Sequence, residues 1–149
     1  MQDLKENHKV PAILLIILLC SCSSGSTEFQ FDRNVFPQEW HLIRITTSIT
    51  GDFKEGTEME FQESFILHSS GLFTKTRETS AGTVEGFGKY SFNEGENGTI
   101  LELLHDSTNQ TIINCSGNLI ELFSMPTNET LVGSSAPCDG PILFYERVN

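Results

Sequence analysis

The chain has 149 residues, with twenty Asp or Glu against nine Lys or Arg, a formal net charge of −11. That balance argues against a nucleic-acid surface, which needs clustered cations to neutralise phosphates. A hydrophobic content of 38% with eleven Phe is too apolar for a disordered acidic tail, so the chain carries one packed core of ordinary domain size.

Residues 1–10 are polar, and residues 12–19 form the unbroken apolar run Ala-Ile-Leu-Leu-Ile-Ile-Leu-Leu. This is far shorter than the roughly 20 residues a membrane-spanning helix needs, so it reads as the core of a cleaved leader. The following Leu19-Cys20-Ser21-Cys22 resembles the bacterial lipobox, with an aliphatic residue three places before the cysteine and a small one directly before it. Cys22 fits that pattern, whereas Leu19 stands where Cys20 would need a small neighbour. Residues 1–21 are therefore expected as a lipoprotein signal peptide, although Asp3 and Glu6 depart from a basic start. The resemblance implies a lipidated Cys22 bearing palmitate-class acyl chains. Each buried methylene contributes about 0.8 kcal/mol to a membrane anchor. Ser23 follows where an aspartate would signal inner-membrane retention, which favours the outer membrane of the cell envelope. Residues 22–37, opening Cys-Ser-Ser-Gly-Ser-Thr, are expected as lipidated terminus and tether.

From residue 38 to 149 strand signals recur, each ended by Gly, Asn, Asp, Ser or Pro, and no 3.6-residue apolar period persists. Strands are predicted over 40–46, 59–68, 72–77, 83–92, 99–105, 111–115, 118–124, 131–133 and 142–148. In the second, Met59, Phe61, Phe65 and Leu67 share a face, and in the fifth Leu101 and Leu103 do. Gly86 and Gly88 suggest a bend or bulge. The connection 47–58 is expected as a flap over one mouth. About eight or nine antiparallel strands with short connections favour an all-β up-and-down barrel, because closure removes exposed edges; a two-sheet sandwich is the alternative.

Trp40 opening the first strand, Phe65-Ile-Leu-His-Ser-Ser-Gly-Leu-Phe73, Gly88-Lys-Tyr90 and the ending Cys138-Asp-Gly-Pro141 with Tyr145-Glu-Arg147 together resemble the lipocalin-like lipoproteins of Bacteroidetes. The likeness spans about residues 38–148. It departs from the family at Gln38-Glu39-Trp40, where a glycine would stand two places before the tryptophan, which leaves closure of the barrel bottom in question.

With Cys20 removed and Cys22 acylated, Cys115 and Cys138 remain in an oxidising compartment and are expected to pair. The link should contribute about 3 kcal/mol.

Catalytic chemistry leaves no convincing trace. His8, His41, His68 and His105 lack the spacing of a metal site and read as ordinary polar residues. Glu55, Glu58, Glu60 and Glu63 form an acidic run without a calcium-binding loop around it; Glu58 and Glu60, opposite Met59 and Phe61, read as the solvated side of a strand. No nucleophile elbow or phosphate loop is present, and Asp139-Gly140-Pro141 reads as a turn. Four N-glycosylation patterns, at Asn97, Asn109, Asn114 and Asn128, read as coincidences in a chain rich in Asn, Ser and Thr. The expectation is a protein without enzymatic activity, metal or cofactor. Two functions stay open. One is binding of a small hydrophobic ligand inside the barrel, contacted by Trp40, Phe61, Phe65, Phe73, Tyr90 and Tyr145. The other is an envelope interaction module whose barrel is filled and whose loops or acidic faces meet a protein or envelope partner.

Overall fold

In the structure, a computed structural model, residues 31–149 are described. The leader, Cys20, Cys22 and His8 lie outside the described residues.

The described residues form an antiparallel sheet of nine strands: β1 (Gln38–Thr46), β2 (Phe53–Glu55), β3 (Gln62–Leu67), β4 (Leu72–Thr79), β5 (Gly82–Gly95), β6 (Gly98–His105), β7 (Ile120–Thr127), β8 (Thr130–Ser134) and β9 (Ile142–Arg147). Apart from β2, neighbours in sequence are neighbours in space, and β9 returns to pair with β1, with Trp40 opposite Arg147 and Thr46 opposite Ile142. Eight strands thus close an up-and-down barrel. The ninth, β2, is an added ribbon on the last residues of β1, with Thr46 opposite Phe53. Closure satisfies backbone groups that an open meander would leave as edges. The barrel rather than the sandwich is the observed fold.

The strands alternate as half-buried strands must. In β3, Glu63, Phe65 and Leu67 point inward; in β4, Phe73, Lys75 and Arg77; in β6, Leu101, Leu103 and His105; in β7, Glu121, Phe123 and Met125. Leu101 and Leu103 therefore share the buried face, as expected. Turns at the bottom use glycine where positive φ is required, as at Gly71 (φ 81°).

Three local expectations need revision. Residues 111–115 form no strand; they belong to a connection, residues 106–119, that crosses the upper mouth. Gly86 and Gly88 mark no bulge, since pairing runs unbroken from Thr79–Gly82 to Leu72–Lys89 and on into β6. The register shifts lie instead between Leu42 and Arg44 and between Ser124 and Thr127. Gly88 sits where β5 passes from β4 to β6, and a Cβ there would meet the Leu104 carbonyl at 2.0 Å and Phe73 at 2.8 Å. The glycine is needed for close approach, which lets Phe73 pack on the β5 backbone. Finally, the flap contains β2 and a 3-10 turn over Gly56–Glu58.

The lower end, where β1 begins and β9 ends, is closed by residues 31–37. Arg147 donates to the carbonyls of Asp32 (2.8 Å) and Val35 (2.9 Å) and lies over the Phe31 ring. Gln38 Nε2 donates to the Arg33 carbonyl at 2.6 Å, Arg33 reaches Thr99 Oγ1 at 2.7 Å, and Phe36 packs beside Tyr90. The stretch 31–37, expected within the tether, is thus part of the folded body. It closes the bottom without the missing glycine.

Candidate functional site

The barrel interior divides into two halves. The lower half is aromatic and aliphatic. Trp40 stacks on Phe65 (6.3 Å between centroids), Phe65 meets Tyr145 edge-on at 5.3 Å and Phe123 at 5.7 Å, and Leu67, Leu101, Leu103 and Leu131 fill the spaces between. Of the six residues expected to line a ligand cavity, Trp40, Phe65, Phe73 and Tyr145 are therefore buried against one another or against their neighbours. Tyr90 is half-buried, tied by its hydroxyl to the His68 carbonyl at 2.7 Å and packed on Phe92. Phe61 stands apart at the upper mouth, beneath the Arg77 guanidinium at 4.2 Å.

The upper half is ionic. Lys75, fully buried, has its Nζ 3.0 Å from Glu63 Oε1 and 2.9 Å from both carboxylate oxygens of Glu121, and donates to the Thr111 carbonyl at 2.9 Å. Arg77 donates from Nε to Glu63 Oε2 at 2.6 Å and forms a second contact through its Nη2. Its other bonds go to the carbonyls of Gln110 (2.6 Å) and Thr111 (3.0 Å). Two carboxylates face two cations, so the enclosed charge balances. His105 completes the group. Its Nδ1 accepts from Asn109 Nδ2 (3.2 Å), because Asn109 Oδ1 is held by the Thr111 N–H, and its Nε2–H then donates to Glu121 Oε2 at 2.7 Å. Tyr145 donates to Glu63 Oε1 at 2.5 Å.

These charges hold the connection 106–119 over the mouth. Its carbonyls at Gln110 and Thr111 accept from the two cations, and the Ile113 N–H donates to Glu121 Oε1 at 2.9 Å. Backbone groups that a strand would commit to a ladder are here committed to buried side chains. The strap is fastened at its far end by a disulfide between Cys115 and Cys138, Cα atoms 5.6 Å apart, which ties it to the β8–β9 connection. The expected disulfide is present, but it joins two connections rather than a strand and a turn.

His105 departs from its expected role, and Glu63 is the member of the acidic run that enters the barrel. Glu63 shares the inward face with Phe65 and Leu67, whereas Glu55 pairs with Arg44 at 2.6 Å, Glu60 with Lys54 at 2.8 Å, and Glu58 is exposed. His105 is buried in the network, His41 is exposed beside Glu39, and His68 lies at the bottom turn.

Burial alone raises the Glu121 carboxyl, but the Lys75 ammonium, the His105 ring and the Ile113 N–H outweigh it, and its pKa lies below the ordinary 4.5. Tyr145 is pushed well above the ordinary 10.0, first by burial and then by the charges of Glu63 and Glu121.

On the outer surface, Phe87, Leu104 and Leu122 are exposed. The register sets Leu104 beside Lys89 and Ile120, and Leu122 beside Glu102. The three therefore form a diagonal apolar stripe across β5, β6 and β7.

Comparison of the chain with protein-family models, curated proteins and solved structures finds no match. The functional reading therefore rests on the molecule's own geometry.

Lys75→Met leaves buried carboxylates short of a cation and is expected to cost about 3–5 kcal/mol in urea denaturation. The double variant Lys75→Met with Glu121→Leu, which leaves Glu63 paired to Arg77, should be more stable than the single one. A double variant as unstable as the sum of its singles would show that the charges do not act as a pair.

Two titrations bound the stability plateau. The lowered Glu121 pKa contributes stability present above about 4.5 and lost as pH falls through its folded value. The raised Tyr145 pKa contributes stability present below about 10 and lost as pH rises toward its folded value. Denaturation midpoints across pH should fall on both sides of that window, and Tyr145→Phe should flatten the alkaline limb.

Proposed function

We propose that this chain is a lipid-anchored, lipocalin-like lipoprotein of the bacterial outer membrane that acts without catalysis, as an interaction module of the cell envelope. The observation that carries this reading is the filled barrel. Trp40, Phe65, Phe123 and Tyr145 occupy the lower interior, and the paired charges of Glu63, Lys75, Arg77 and Glu121 occupy the upper. A barrel so filled is a support, and its contacts are made from the outside. The stripe of Phe87, Leu104 and Leu122 offers a protein partner an apolar surface of the kind that marks interaction sites.

Anchoring at Cys22 also orients the molecule. Residues 23–30 lie between that cysteine and Phe31, a length of chain that reaches at most about 30 Å. Phe31 sits under Arg147 at the lower end, so the lower end faces the lipid and the strapped mouth faces away. Cys22→Ala is expected to move the protein from the membrane fraction to the soluble one and to abolish incorporation of labelled palmitate. Retention of both by the variant would overturn the anchor.

A second reading, binding of a small hydrophobic ligand, is favoured by one observation: a recess of about 300 Å³ at the upper mouth, which Phe61 helps to line. On this reading the ligand would sit on the rim instead of among Trp40, Phe65, Phe73 and Tyr145. The two placements differ in their effect on Trp40, the chain's single tryptophan. Titration with a broad set of lipids and sterols should leave its emission unchanged. A saturable shift would return the ligand to the interior and sink the filled-barrel reading.

A further inference from the structure

The recess lies where the segment after β1 and the β8–β9 connection face each other. Ile45, Ile49, Phe61 and Pro141 provide its apolar walls. Its volume of about 300 Å³ falls at the small end of the range for ligand pockets. Ile49 is 77% exposed, so a side chain that gains from leaving water stands at the edge of a hollow that could receive a ligand. Ser48 also lines the recess, and its Oγ is buried with no hydrogen-bond partner among the described residues. A buried hydroxyl without a partner is costly unless something is bound against it.

The charges of the rim choose the occupant. Lys54 and Glu60 neutralise each other at 2.8 Å. Asp52 and Asp139 also line the recess, and among the described residues neither has a cationic partner within 4 Å. Asp139 is held in the left-handed conformation (φ 60°) directly after the 3-10 turn Ala136–Cys138. The disulfide through Cys138 fastens that turn to the strap, so the carboxylate is presented from a fixed support. An anionic amphiphile would meet both acids and the field of a chain with net charge −11, whereas a cationic one is attracted by each.

We propose that this recess binds a small primary alkylammonium compound, its apolar tail against Ile45, Ile49, Phe61 and Pro141 and its cationic head between Asp52 and Asp139. An ammonium N–H donates to Ser48 Oγ and satisfies it. This inference rests on the second reading above and specifies its ligand. Because the mouth faces away from the lipid in the anchored protein, the ligand arrives from the aqueous side.

The test is calorimetric titration of the full chain with octylammonium, octanoate and octanol, each below its solubility or micelle limit, with Trp40 emission followed in parallel. Octylammonium should bind about tenfold tighter than octanol and tighter still than octanoate, with the preference shrinking as salt is raised. Asp52→Asn with Asp139→Asn should bring the three close to equal, since asparagine tolerates the left-handed conformation at 139. Ile49→Asn, at an exposed position, should weaken all three. Equal affinities in the unmodified protein, or a preference for octanoate, would overturn the charge inference while leaving a ligand site at the rim. No binding by any probe would overturn both the inference and the second reading, and would leave the filled-barrel module intact. Binding that shifts Trp40 emission and survives Ile49→Asn would place the ligand in the interior and overturn this site.

Discussion

Lys75 stands inside a barrel with its ammonium removed from water, and almost everything distinctive about this molecule follows from how that charge is met. An isolated buried cation costs several kcal/mol even after relaxation. Here Glu63 and Glu121 approach Nζ from two different strands, and the Thr111 carbonyl approaches from outside the sheet. Removing any of the three leaves another group unpaired. The network therefore fixes relations among β3, β4 and β7 that aliphatic packing alone would leave adjustable, because apolar side chains can repack while a bond of 2.9 Å to a particular oxygen cannot slide by a residue.

The same network decides what covers the mouth. Residues 106–119 have little ladder pairing of their own, yet Thr111 is wholly buried and Ile113 packs on the core. Their backbone is recruited by side chains already enclosed: Arg77 and Lys75 take two carbonyls and Glu121 takes an N–H. Gly86 contributes by omission. A Cβ at that position would come within 2.7 Å of Thr111 Oγ1 and 3.0 Å of the Asn109 side chain, so the bare backbone lets the strap sit against β5. The disulfide then closes the unfolded-state entropy of a segment whose native contacts are polar and few in apolar area.

The extent to which this was legible in the sequence follows from what alternation can and cannot say. Parity along the strands marks the inner face correctly, as Leu101 with Leu103 and Phe65 with Leu67 show. The same parity puts Glu63 beside Phe61 and Phe65, Lys75 and Arg77 beside Phe73, His105 beside Leu103, and Glu121 beside Phe123. That signal is in the sequence, but charged side chains ordinarily take the solvated side, as the neighbouring Glu58 and Glu60 do. What parity lacks is partnership: Lys75 and Glu121 lie 46 residues apart, and only the closed register brings them together. The segment 111–115 was misread for a related reason. Thr, Ile and Ile have strand propensity, but propensity describes a fit to a half-buried surface and not which hydrogen-bond partners are on offer. Of the six aromatics, Trp40, Phe65, Phe73 and Tyr145 are buried inside, Tyr90 is half-buried and Phe61 stands at the mouth; whether an inward ring lines a void or fills it depends on the sum of volumes, which periodicity does not carry.

The division of the interior also gives the barrel two unlike ends. At the bottom, Arg147 binds the carbonyls of Asp32 and Val35, so the chain arriving from its amino terminus is locked to the last strand before the barrel begins. A pull on that terminus is resisted by a cation holding two carbonyls and by the β1–β9 pairing directly above it. At the top, the flap with β2 and the β8–β9 connection meet around the recess, and the disulfide fastens the strap to the second of these. The lower end grips the chain where an anchor would load the fold, and the upper end presents connections where a partner or ligand would reach it. Loops carried on a rigid support are where recognition is usually placed. In this molecule the packed aromatic and ionic interior makes that support rigid, and recognition at the rim depends on it.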